Sequence, residues 1–182
     1  PNIFLLRPDG TIVWSISGII HPQHKSEGIG EFTHAVRRAM NTHIQLLAMA
    51  RSLDVLKQGK FKDAVNHFSG PLPVDRRDPD GWLPPQLHGR ALAYIGLKDW
   101  KNALSDIDAA ILAHEREYNR KKPCSCDRTA KFLRTKAIIL EQLGQGNEAQ
   151  KAQKQAATKT HSVSRYGLFH DQLDAIELKQ RK

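Results

Sequence analysis

Two cysteines two residues apart, Cys124 and Cys126, are the side chains best suited to covalent chemistry in this 182-residue chain. A thiol flanked by Arg120, Lys121, Lys122 and Arg128 is biased toward its nucleophilic thiolate, and so tight a pair could close a strained disulfide. They form the candidate redox pair. Two cysteines are too few for a disulfide framework, and the spacing lacks the second CxxC pair of a structural zinc site. The nine histidines show no HExxH arrangement, although His21 and His24 stand close together. No triad, paired acids or phosphate loop is evident. The expectation is therefore no catalytic residue, no metal site and no cofactor in this chain.

Charge is the next feature with chemical consequence. The formal net charge is +9, and it is spread unevenly. Residues 119–182 hold fourteen basic against six acidic residues, whereas residues 51–118 hold ten of each. Such a basic region attracts acidic peptide, phosphate or anionic lipid, or simply keeps a helix face solvated. No RRM, KH, zinc-finger or basic-region signature accompanies it, so nucleic acid is not the expected partner. No apolar run approaches the roughly 18 residues that span a bilayer, and mean hydropathy is -0.53. The chain reads as soluble, with the compartment left open between a bacterial cytoplasm and a periplasm. It opens on Pro1 and its first methionine is Met40, which leads to the expectation of a fragment or processed form.

The elements that would position these residues fall into two parts, 1–42 and 43–182. In the first, Pro1–Arg7 and Thr11–Ile16 are strand-forming runs separated by Pro8-Asp9-Gly10, which reads as an antiparallel hairpin. A helical pattern follows with Ile29, Phe32, Val36 and Met40 on one face. The opening proline, the Pro8-Asp9-Gly10 turn and the strand-ending Gly18 resemble the C-terminal third of a thioredoxin-like domain. That resemblance implies a parent protein whose CxxC lies upstream, a thiol-disulfide oxidoreductase or peroxiredoxin-like enzyme, since this chain holds no CxxC.

In the second part, small residues recur at Ala64, Ala103 and Ala149, with Ser52, Ala91 and Ala137 twelve residues before them. Two antiparallel helices approach closely only where small side chains meet, and a larger neighbour fills the flanking gap. Tyr94, Trp100 and Ile107 would be the fillers in the middle copy, and Val55, Phe61 and Phe68 in the first. The pattern resembles tetratricopeptide (TPR) repeats, at intervals of 39 and 46 residues instead of about 34. Insertions are therefore expected within 69–82 and in a prolonged helix from Ala103 through Tyr118, followed by the cysteine loop. Tyr166–Arg181 has the form of a capping helix. The expected fold is thus mainly α, a TPR-like helical-hairpin array of about three repeats plus a capping helix, preceded by a short β-hairpin.

TPR arrays bind peptide along a concave face lined by the first helix of each repeat. The resemblance places there Leu53 from the first repeat, His88, Leu92 and Ile95 from the second, and Lys131, Arg134 and Ile138 from the third. The face passes from apolar to basic, so the implied ligand is a protein or peptide with acidic character. TPRs that clamp a terminal carboxylate use a set of asparagines and lysines; the matching places here read Met49, Leu53, Gly89, Lys131 and Arg134, and both asparagines are missing. The implied role is a non-catalytic protein-interaction scaffold.

Overall fold

The computed structural model describes residues 2–6, 12–17, 44–70, 83–118 and 127–158. The chain divides into two compact units, Pro1–Leu47 and Ala48–Lys182, and the division falls inside a helix. In the first unit, β1 (Asn2–Leu6) and β2 (Ile12–Ser17) pair antiparallel from Asn2↔Ser17 to Leu5↔Trp14, with a register shift between Leu5 and Leu6. Residues 18–43, which hold the helical pattern from Ile29, lie outside the described residues.

The second unit is helical. Helix α1 covers residues 44–57, and α2 (Phe61–Phe68), α3 (Leu83–Gly96), α4 (Trp100–Tyr118), α5 (Asp127–Gln142) and α6 (Gly146–Ala157) follow. Three times over, the repeat pattern forms a pair of helices with the recurring small residue, Ala64, Ala103 or Ala149, at the fourth position of the second. Helix α4 is prolonged to Tyr118, which accounts for part of the longer second interval. The stretch 71–82, the cysteine loop and the capping-helix segment lie outside the described residues.

Each hairpin turn is built in the same way. Gly59, Lys98 and Gly144 sit at φ of 73°, 59° and 74°. Their amides donate to the carbonyls of Leu56, Ile95 and Glu141, and the amides of Lys60, Asp99 and Gln145 reach back to Val55, Tyr94 and Leu140. This double closure satisfies carbonyls that the ending helix would leave bare. The next helix begins at once, because Lys60, Asp99 and Gln145 accept from the amides of Ala64, Ala103 and Ala149. One short turn thus delivers the small residue to the crossing. Of the three starts, Asp99 adds a side-chain cap, with Oδ1 accepting from the Asn102 amide at 3.3 Å. Pro84 and Pro85 are admitted in the first turn of α3, where amide hydrogens have no helical partner to lose.

All six small residues of the crossings are buried: Ser52 and Ala64, Ala91 and Ala103, Ala137 and Ala149. Between consecutive hairpins the packing changes character. A Cβ on Gly89 would overlap the Phe68 ring, and one on Gly96 would overlap the Phe61 ring. Two aromatic rings seven residues apart on α2 thus seat in two notches seven residues apart on α3. Gln86 of α3 also donates through Nε2 to the carbonyls of Phe68 and Gly70, finishing the end of α2. Helix α4 makes apolar contact with the third hairpin at Leu104, which packs against the cluster of Ala137, Leu140, Ala149 and Ala152, and at Ile111, which packs against Ala130, Leu133 and Ala156.

Two substitutions check this account by urea denaturation. Lys98→Gly should raise stability by about 0.5–1 kcal/mol, because a side chain is removed from a left-handed backbone position that its counterparts fill with glycine. Gly89→Ala should lower it by about 1–3 kcal/mol, because the buried Phe68 ring must leave its notch.

Candidate functional site

The third hairpin carries the basic candidates. Lys131, Arg134 and Ile138 follow one another at helical spacing along α5, with Arg134 exposed and the other two half-buried. An anionic or part-apolar segment lying along this face would meet a guanidinium, an ammonium and an aliphatic side chain in turn. Arg134 is the group best placed for a two-pronged contact with a carboxylate.

The other four expected ligand contacts are elsewhere. Leu53, Leu92 and His88 are fully buried, and Ile95 is 8% exposed. As they stand these side chains cannot reach a ligand, which corrects their assignment to an open concave face. The positions matching a carboxylate clamp are equally closed, since Met49 and Leu53 are core and Gly89 receives the Phe68 ring. The continuous apolar-to-basic face expected from sequence is thus reduced to the α5 segment, Lys131, Arg134 and Ile138. Cys124 and Cys126 lie outside the described residues. Among the described residues, no group of three or more His, Cys, Asp or Glu is arranged to hold a metal ion, and no helix is long and apolar enough to cross a membrane.

The burial of His88 has a specific cause. Its ring points from α3 onto α5, with Nε2 3.0 Å from Thr135 Oγ1 and its centroid 5.1 Å from that of Phe132 in an edge-to-face arrangement. Thr135 donates its hydroxyl hydrogen to the Lys131 carbonyl at 3.2 Å. The network therefore assigns the His88 proton to Nε2, donating to Thr135, and leaves Nδ1 as a buried lone pair with no hydrogen-bond partner. On the other side, His114 of α4 meets the same Phe132 edge-on at 6.0 Å. Helices α3, α4 and α5 thus converge on one phenyl ring.

A second polar connection was not apparent from sequence. Arg90 of α3 holds Asp106 of α4 with two bonds of 2.7 Å, from Nε to Oδ2 and from Nη2 to Oδ1, and its Nη1 reaches Ser69 Oγ at 3.2 Å. The hydrogen bond to Asp106 raises the Arg90 pKa above its ordinary value, against the opposing effect of burial. Lys136 of α5 pairs with Asp108 of α4 at 2.7 Å. These contacts share a register. Arg51, Arg90 and Lys136 each stand thirteen residues before the small residue of their hairpin, and Ser69 and Asp108 each stand five after it. The base of one hairpin therefore meets the same position of the preceding hairpin. The signal that could have found it is charge read at the repeat register rather than along each helix.

Burial, reinforced by the nearby Lys131 ammonium, lowers the His88 pKa from 6.5 to about 3. The unfolded chain then binds a proton that the folded protein refuses. Stability from this group is complete above pH 6.5 and is lost progressively as pH falls toward 3, by about 2 kcal/mol at pH 5. His88→Gln keeps a donor for Thr135 and removes the titration. Urea denaturation at pH 7 and pH 5 should show a stability difference about 2 kcal/mol smaller in this variant than in the parent.

Comparison with known proteins places the fold. The chain is similar to the solved structure of a TPR-like protein from Chlorobium tepidum, with a TM-score of 0.51 and 20% identity over 78% of this chain and 94% of that one. No family model matches the chain, and no curated protein does. The likeness supports the TPR-like helical fold and gives no support to a thioredoxin-like reading of residues 1–42. The helical unit described above is TPR-like.

Proposed function

We propose that this protein is a non-catalytic interaction scaffold that binds an acidic, or part acidic and part apolar, peptide segment on the α5 face formed by Lys131, Arg134 and Ile138. The observation that carries the reading is the exposed Arg134 beside half-buried Lys131 and Ile138 on one helical face of a TPR-like array. The buried residues Leu53, His88, Leu92 and Ile95 set the positions of the helices and do not contact the ligand. The basic excess of residues 119–182 supports the choice of an acidic segment, because it raises the local concentration of anionic partners.

The double variant Lys131→Ala/Arg134→Ala separates this reading from a purely structural role for α5. Each exposed charge contributes about 0.2–1 kcal/mol, and a two-pronged arginine contact exceeds that. Titration with an acidic peptide library should show affinity reduced roughly tenfold and a flatter salt dependence between two ionic strengths. Equal binding by parent and variant would move the site off α5, and preferential binding of nucleic acid over every peptide would sink the scaffold reading.

A further inference from the structure

His88 is enclosed by groups that cannot accommodate a cation. From α5 it faces the Thr135 hydroxyl, the edge of Phe132 and the Lys131 ammonium, which is the charged group acting on it. From α4 it is separated by Phe132 from His114. The neighbouring Gly89 is filled from α2 by the Phe68 ring. Asp106, the buried carboxylate of α4, is engaged by both prongs of Arg90. A proton arriving at Nδ1 would create a donor with no acceptor, in an apolar enclosure, next to a like charge.

We propose that the joint between the second hairpin (α3–α4) and the third (α5–α6) opens on acidification before either hairpin unfolds, and that His88 is the group that triggers it. The hairpins have their own means of staying intact. Each is closed by its double-bonded turn, the second is held by the Arg90–Asp106 pair, and the third by Ala137, Leu140, Ala149 and Ala152. The joint is held by the His88–Thr135 bond, the rings around Phe132, the contacts of Leu104 and Ile111, and the Lys136–Asp108 pair, which is too exposed to hold it alone. Opening returns the imidazole to water, where its ordinary pKa of about 6.5 applies. The opening equilibrium then rises nearly tenfold per pH unit below that value, or roughly 25-fold between pH 7 and pH 5.

A ligand on Lys131 and Arg134 would be released over the same range, a consequence that rests on the reading of the α5 face. The joint itself is tested without any ligand. In the full chain with Cys124→Ser and Cys126→Ser, a reporter thiol is introduced as Ala130→Cys, buried on α5 in the cluster against which Ile111 of α4 packs, and its labelling by 4,4′-dithiodipyridine is divided by that of an exposed Lys154→Cys reference. The ratio should rise roughly 25-fold from pH 7 to pH 5 while far-ultraviolet circular dichroism stays constant, and the rise should vanish in His88→Gln. Should the glutamine variant fail to fold, His88→Met serves the same purpose with an apolar side chain. A ratio that stays flat in the parent, an equal rise in the histidine-free variant, or loss of the helical signal in step with labelling would each overturn the proposal.

Discussion

The array rests on helices crossing where their side chains are smallest. A methyl group at Ala91 or Ala103 lets the backbones approach, and close approach lets the flanking Ile107 fill the space around the crossing without a void. That geometry fails unless the second helix starts at a fixed distance from the end of the first. The turns at Gly59, Lys98 and Gly144 supply this distance by closing the same two hydrogen bonds and handing the chain directly to the next helix. Turn and crossing are therefore one constraint seen at two places. The backbone conformation of the turn sets which residue reaches the crossing, and that residue must be small.

Polar groups are placed where apolar packing alone would leave choices open. A smooth apolar seam lets one helix slide by a turn on another with modest loss, because aliphatic contacts are not directional. The two-pronged Arg90–Asp106 contact, with its third arm to Ser69, fits one register of α3 against its neighbours. His88 and Thr135 do the same for α3 against α5. The basic face of α5 then inherits its position against α3 from His88 and Thr135, which do not themselves reach solvent.

How much of this could be read from the residues depended on whether the cause was local. Ala64, Ala103 and Ala149 announced themselves because the need for a small side chain recurs with each hairpin and leaves an alignable trace. The length of α4 was readable for the same reason, since the interval between Ala103 and Ala149 had to be filled by something helical. Lys98 carried no signal of its own, because lysine has no preference for a left-handed backbone, and its role emerges only beside Gly59 and Gly144. His88 was misplaced because helical spacing puts it on the ligand-facing side of α3, while the groups that enclose it, Phe132 and Thr135, lie more than forty residues away. Arg90 and Asp106 likewise look like ordinary surface charges until α3 and α4 are brought together.

The two seams between hairpins are made of different materials. Between the first and second, the Phe61 and Phe68 rings drop into notches at Gly96 and Gly89, a keyed fit that resists both sliding and twisting and has no titrating group in the key itself. Between the second and third, the fit is a polar contact around a shared phenyl ring, with small aliphatic residues on either side. The seam that α5 makes with α3 and α4 has no such aromatic key, so the placing of the α5 face against the first two hairpins rests on the His88–Thr135 contact, the shared Phe132 ring and aliphatic packing.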